Sequence, residues 1–411
     1  MALKGNAVVG QSGGPTAAIN ATLAGVIEGA LAHRDTIPTL YGMKNGIMGF
    51  LDEEMLDLTT RFANDAEGLR ILCQTPAAAL GSCRMRLPEP EGNEKFYENL
   101  FALFKKYDIR YFFYIGGNDS MDTVAKLRAA LKKSDYEMRC VGVPKTIDND
   151  LAATDHTPGY GSAAKYIAAT MQEVIRDCNV YSIPAVTIVE IMGRDAGWLT
   201  AAAALPGAVT DVKPDLVYLP ERIFREKEFL EDVRATLQKK PTVVVAVSEG
   251  LRNEEGEYLC TDKRGSAVDV FGHKALTGAG NYLAAVVRDN IGCKARGIEL
   301  NVCQRSASHI ASRTDIEESV GAGRAAVETA LQGASGVMMT ILRTEREGKY
   351  AACFGASDVS EIANAVRSVP ENYINERGNG VTEECLRYIL PLIQGEVDTI
   401  YRDGLPVHIT L

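Results

Sequence analysis

The chain has 411 residues, 46% of them hydrophobic and 24% charged, enough for two sizeable cores or for two cores and an appendage. A net charge of −10 argues against a nucleic-acid or anionic-membrane surface, and no apolar run reaches the length needed to span a bilayer. The N-terminal residues lack a signal-peptide apolar core, and the nine cysteines and five histidines are scattered without metal spacing; free thiols in a reducing cytoplasm are expected, and a zinc site or histidine-based triad is not.

Taken in chain order, the pattern is strand, glycine-rich loop, helix, repeated. Residues 6–10 are predicted as a short buried strand that runs through Gln11-Ser12-Gly13-Gly14-Pro15-Thr16 into a helix ending near residue 32. Residues 94–107 read as an amphipathic helix, with Phe96, Leu100, Phe101 and Phe104 on its apolar face. A strand at 110–115 closes on Gly116-Gly117 and leads to a helix over about 120–132; a strand at 138–143 ends at Pro144. The grammar restarts with a strand at 185–191 that leads into Met192-Gly193-Arg194. A strand at 241–247 ends at Ser248-Glu249, and a strand at 297–302 precedes a long helix over about 306–331. The acidic stretch 253–257 reads as a solvated hairpin tip, and after about residue 358 the rhythm is lost. This alternation predicts the α/β class: two doubly wound parallel-sheet domains with the active site in the cleft between them, plus a helical C-terminal appendage. In such sheets ligands sit beyond the carboxyl ends of the strands, where every polar cluster just named falls.

The glycines at 10–14, after a strand and before a helix, let backbone N–H groups approach an anion, but their spacing fits neither the P-loop nor the dinucleotide fingerprint. In Gly116-Gly117-Asn118-Asp119-Ser120, Asp119 is a hard oxygen ligand suited to Mg²⁺ and Asn118 offers a neutral oxygen; helix capping explains the same residues equally well. In Pro144-Lys145-Thr146-Ile147-Asp148-Asn149-Asp150, two carboxylates two residues apart and a lysine supply a candidate base and a cation for phosphoryl oxygens, unless the loop is a solvated turn. Met192, Gly193, Arg194 and Glu249 offer sugar-hydroxyl contacts, and Arg296 and Arg305 are candidate phosphate ligands.

In this order, SGG at 12–14, GSCR at 81–84, GGNDS at 116–120, PKTIDND at 144–150, TDHTPGYGSAAK at 154–165, VEIMGRDAG at 189–197, SEG at 248–250 and QRS at 304–306 resemble the phosphofructokinase family over roughly residues 5–345. The resemblance implies that Gly14 lies against the donor phosphates and that Arg84 meets the transferred phosphoryl group. It makes Asp148 the base for the sugar hydroxyl, with Thr146 and Ile147 lining the same pocket and Asp150 near the metal. Met192, Gly193, Arg194 and Glu249 match sugar contacts, and Arg305 matches a residue holding the acceptor's own phosphate. It further implies Mg²⁺ as cofactor, fructose 6-phosphate as acceptor and a homo-oligomer, dimer or tetramer. Residues 1–158, completed by part of 303–355, would bind the donor, 159–302 the sugar phosphate, and 356–411 would form the appendage.

ATP-using members resemble GGDGS and PGTIDND where this chain has Asp119 and Lys145 in place of the two small glycines. A carboxylate there fills the volume of a nucleotide's α-phosphate and repels it, while the lysine serves a pyrophosphate leaving group; the pyrophosphate-dependent branch carries the same Asp and Lys. A Lys–Asp pair would limit the cost of burying either charge. Pyrophosphate is therefore the expected donor, with an ATP-using enzyme of the same fold or a catalytically silent regulatory paralogue as the alternatives. Departures from the family pattern are Asn118 at the metal aspartate, Val302 and Ala185 at two acceptor-phosphate positions, and Ile47 where ATP-using members place a tyrosine. Ala24 and Glu28 replace two arginines that bind an allosteric effector, so no effector response is expected through that helix.

Overall fold

A computed structural model of the chain describes residues 2–83, 85–260, 276, 278–362 and 365–411. Its strands in chain order are β1 (Asn6–Gln11), β2 (Leu40–Met43), β3 (Met55–Asp57), β4 (Ile109–Gly116), β5 (Arg139–Pro144), β6 (Ala185–Ile191), β7 (Leu216–Tyr218), β8 (Thr242–Ser248), β9 (Lys294–Glu299), β10 (Val337–Arg346), β11 (Lys349–Asp358), β12 (Tyr401–Arg402) and β13 (Leu405–Pro406). Among the described residues, one sheet has the order β11-β10-β5-β4-β1-β2-β3 and a second the order β7-β8-β6-β9. The first is parallel from β10 to β2, with β3 and β11 added antiparallel at its edges. The second is parallel throughout. Helices cover both faces, so the central strands read as unbroken apolar runs: Tyr111, Phe112 and Phe113 in β4 and Val243 to Val247 in β8 are wholly buried. No helix among the described residues is long and apolar enough to cross a membrane.

Two elements differ from the sequence expectation. The strand expected at 297–302 lies at Lys294–Glu299, because Asn301 takes a left-handed backbone (φ 44°) that ends extended pairing. The long helix expected from about 306 begins only at Arg313, after a one-turn helix Cys303–Ser306 and a 3-10 turn. Ser312 caps it by accepting from Asp315 N, a Ser-x-x-Asp start signal present in the sequence. Beyond β11, the described residues hold one seven-residue helix, Glu383–Ile389, three 3-10 turns and the β12–β13 ribbon, so the appendage is helical only in small part. Pro370 precedes one of the 3-10 turns and Pro391 opens another, positions where a missing N–H costs nothing. The 253–257 stretch is a turn, closed by Asn253 N to Glu257 O (2.9 Å) between the bridged residues Arg252 and Tyr258.

The first helix, Ile19–Ala32, packs against the helix Arg313–Leu331 at very short range. A Cβ on Gly25 would stand 2.1 Å from Val320 O, and one on Gly323 2.3 Å from Thr22 O. Ala24 is buried and Glu28 is paired with Arg324 (2.6 Å), so the positions noted for effector arginines face a helix neighbour. Alanine at Gly25 would gain about 1 kcal/mol of helix propensity. Against this stands a clash with backbone that no rotamer relieves, worth roughly 1–3 kcal/mol or more. Gly25→Ala should therefore lower the thermal midpoint, and a midpoint equal to or above wild type in a melt would refute this reading of the helix pair.

Candidate active site

Strand direction places the site. The carboxyl ends of β1, β4 and β5 face those of β6 and β8 across a cleft of about 530 Å³. From the first sheet come Ser12, Gly13 and Gly14 after β1, Gly117, Asn118, Asp119 and Ser120 after β4, and Lys145, Thr146, Asp148 and Asp150 after β5. From the second come Met192, Arg194 and Asp195 after β6, and Glu249 after β8. Gly14 has φ 76°, and a Cβ on it would lie 3.1 Å from Lys145 Nζ. Only glycine combines that backbone with so close an approach of the ammonium. Lys145 is buried and donates to Gly13 O (2.7 Å), so the cation sits against the β1 loop. Ser120 Oγ donates to Ser12 Oγ (2.6 Å), locking the β1 and β4 loops together.

The sugar-side loops are as tightly made. Glu249 N donates to Ile191 O (2.9 Å), Ser248 Oγ to Gly193 O (2.7 Å), and Gly193 N to Glu249 Oε1 (3.3 Å). Asp195 is held by Arg252 Nη2 (2.7 Å) and the Tyr258 hydroxyl (3.0 Å).

Carboxylates crowd the cleft. Burial raises Asp148 above the usual carboxylate range, while the charges of Lys145 and Arg194 and a hydrogen bond from Thr146 pull it back. Burial, then the charge of Asp148, pushes Asp150 up to about 7. Burial also pushes Glu249 up to about 7, opposed by its bond from Gly193 N and reinforced by Asp148. Such a group calls for a cation. Asn118 faces the same space: its amide donates to Ala365 O (3.4 Å) and its Oδ1 is buried without a partner among the described residues. An orphaned neutral oxygen beside raised carboxylates fits a hard divalent ion such as Mg²⁺.

Of the residues singled out in the sequence, Gly14, Asn118, Asp119, Lys145, Thr146, Asp148, Met192, Arg194 and Glu249 line this one cleft. Gly193 stands just behind it, bonded to Glu249. Ile147 turns away into the core shared with Tyr160 and Trp198. Arg305 is absent from the cleft wall; its neighbour Gln304 points inward and accepts from Met192 N (3.3 Å). Arg296 lies at the middle of β9, bonded to Thr187 and near Asp177. Arg84 lies outside the described residues, although Cys83 and Met85 on either side line the cleft. The partner given to Asp119 is Arg86 (2.9 Å), where a Lys145 pairing was expected. Sequence reasoning passed over Arg86, Asp195 and Val366. Arg86 stands two residues beyond the GSCR motif and Asp195 inside VEIMGRDAG, so both were legible as charges; Val366 comes from a distant segment with no motif at all.

The phosphofructokinase family model matches residues 6–329. The chain belongs to the phosphofructokinase family. A protein of Xanthomonas campestris named pyrophosphate–fructose 6-phosphate 1-phosphotransferase is 41% identical over 410 residues, 99% of this chain and 96% of that one. A relative of the same name from Methylococcus capsulatus is 40% identical, with the same coverage of both chains. The crystal structure of a pyrophosphate-dependent phosphofructokinase from Nitrosospira multiformis superposes with a TM-score of 0.87 at 38% identity, covering 99% of this chain and 96% of that one. The two-sheet architecture is thus that of the phosphofructokinase fold.

If Asp148 must be ionised to work, the rate of phosphorylation falls as pH drops through its raised pKa. Lys145 favours the ionised form. Lys145→Met should therefore raise that pKa further and move the acid limb of the kcat profile to higher pH, beneath a lowered plateau. A limb that stayed in place or moved to lower pH would contradict the coupling.

Proposed function

We propose that the protein is a pyrophosphate-dependent phosphotransferase that moves a phosphoryl group from pyrophosphate to O1 of fructose 6-phosphate, reversibly, giving fructose 1,6-bisphosphate and orthophosphate. The observation that carries this reading is the placement of Lys145 against Gly13 and Gly14, in the cleft that also holds Asp148 and Asp119. The names borne by the full-length relatives support the same donor and acceptor.

In this reading Asp148 takes the proton from the C1 hydroxyl as that oxygen attacks the nearer phosphorus in line. The new O1–P bond forms while the bridging P–O bond breaks, and phosphate departs with the bond's electron pair. Lys145 stabilises the charge growing on the leaving phosphate. Arg84 meets the transferred group, as the family resemblance implies. Met192, Gly193, Arg194 and Glu249 orient the sugar, and the family resemblance alone assigns its 6-phosphate to Arg305, which stands outside the cleft wall. Asn118 Oδ1 and the free oxygen of Asp119, with the Asp148–Asp150 pair nearby, would hold Mg²⁺, whose charge, when bound, offsets that of pyrophosphate. Asp119 is fixed by Arg86 at the donor end, where a longer nucleotide would have to pass. We further infer a cytoplasmic homo-oligomer, dimer or tetramer, with no nucleic-acid or membrane partner.

The test is turnover of purified protein with fructose 6-phosphate, Mg²⁺ and either pyrophosphate or ATP. Pyrophosphate should support it and ATP should not; an ATP preference would overturn the donor assignment. Asp148→Asn should lower kcat by roughly two to four orders of magnitude with a far smaller change in acceptor binding. Asp119→Gly should admit ATP from near zero and weaken pyrophosphate use, because it opens volume and releases Arg86. ATP still excluded from that variant would mean Asp119 is not the barrier.

A further inference from the structure

The C-terminal segment reaches the catalytic loop at a point no motif marks. Asn149 lies between Asp148 and Asp150, is fully buried, and has a left-handed backbone (φ 55°). Asparagine is one of the few non-glycine residues that takes this backbone readily. Its side chain is tied at both ends: Oδ1 accepts from Thr157 N (3.1 Å), and Nδ2 donates to the hydroxyl of Tyr388 (3.0 Å), 239 residues away. That hydroxyl also donates to Asp155 O (2.6 Å) and accepts from Arg367 Nη2 (3.2 Å). One donor and two acceptor sites are all a phenol has, and all three are used on groups that order the loop.

Arg367 adds a second hold. Its backbone N donates to Asp150 O (2.8 Å), and Leu151 bridges to Val366, which lines the cleft. Its carbonyl accepts from Trp198 Nε1 (2.9 Å), and its guanidinium lies 4.5 Å over the Trp198 ring. The same short stretch therefore grips the β5 loop of the first sheet and the β6 loop of the second. Ala365 O, two residues before, holds the amide of Asn118.

We propose that Tyr388 and Arg367 are positioning residues for phosphoryl transfer: the C-terminal segment fixes the Asp148–Asp150 backbone through Asn149, so that both carboxylates are aimed before substrate arrives. The proposal rests on the function given above for the loop, but not on its donor, because every comparison uses whichever donor the wild type turns over. The absence of pyrophosphate turnover would sink the donor assignment and leave this comparison intact.

The experiment compares Tyr388→Phe, Asn149→Ala and the double variant, each in the full chain. A displacement near 1 Å in a reacting group costs about 100-fold, so Tyr388→Phe should lower kcat by about 10- to 100-fold. The acceptor KM should stay within about threefold, since the sugar contacts are untouched. Because Tyr388 acts through Asn149, the double variant should be no slower than Asn149→Ala alone. Trp198 is the only tryptophan in the chain, and its emission should shift in Tyr388→Phe as the seat of Arg367 loosens. Leu392→Ala, which opens the core of the same segment and removes none of the hydrogen bonds to the loop, supplies the control: a lower thermal midpoint with kcat within about twofold of wild type. Tyr388→Phe at wild-type kcat, multiplicative losses in the double variant, or an equal kcat loss in Leu392→Ala would each overturn the proposal. If Tyr388→Phe fails to fold, Arg367→Met keeps the hydroxyl and removes only the guanidinium. It should lower kcat at constant KM, and an unchanged kcat there would overturn the proposal too.

Discussion

Parallel pairing is the constraint from which the rest follows. When strands run in one direction, all their carboxyl ends emerge on one edge of the sheet, and the loops that leave that edge must carry the polar groups. Two such edges face each other here, so β1, β4 and β5 present backbone and charge to the same volume as β6 and β8. Burying the strands on both faces also makes the cleft poorly hydrated at its floor. Asp148, Asp150 and Glu249 are all pushed upward by burial before any neighbour acts on them. Among the described residues of the cleft, Lys145 is the one lysine, and it is buried. The site is thus built to receive a polyanion together with compensating cations, and it does so in a chain whose overall charge is negative.

What the sequence made legible was local. Apolar runs followed by glycine pairs marked β1 and β4, and PKTIDND and MGR marked two loops whose residues do converge, because each motif sits within a few positions of a strand end. The side chain of Ile147 lies in the core with Tyr160 and Trp198, because an apolar residue inside a polar motif is drawn to the interior. The Asp119–Arg86 pair escaped notice because its members lie 33 residues apart and charge alone does not name a partner. That part of 303–355 belongs with the first domain came from the family resemblance alone: nothing in residues 337–358 themselves states that β10 pairs with β5. The contribution of 365–367 and Tyr388 was hidden for the same reason. Hydrogen bonds across more than two hundred residues leave no periodicity behind.

The two sheets also differ in how their parts are recruited. The second is assembled from one continuous stretch, 185–299, apart from what covers it. The first takes β1 to β5 from the start of the chain and β10 and β11 from far beyond the second sheet, and its covering helix Ile19–Ala32 finds its partner at Arg313–Leu331. Asp315, on that partner, accepts from Gly159 N and Ser162 N at the start of the helix Tyr160–Cys178, so the same helix that closes the first layer also caps the one leading toward the second.

This recruitment has a consequence for synthesis on the ribosome. When residue 144 has emerged, β5 exists but its outer edge has no neighbour, and it stays bare until residue 337 has been added. An unpaired, apolar, parallel edge is a template for adhesion between nascent chains. During the same interval the face of the first helix that carries Gly25 and Gly29 is uncovered. The second sheet, by contrast, can close while the first is still waiting. The chain therefore completes its later half before its earlier one, and the loop at 144–150 gains its last anchors only when Arg367 and Tyr388 have left the exit tunnel.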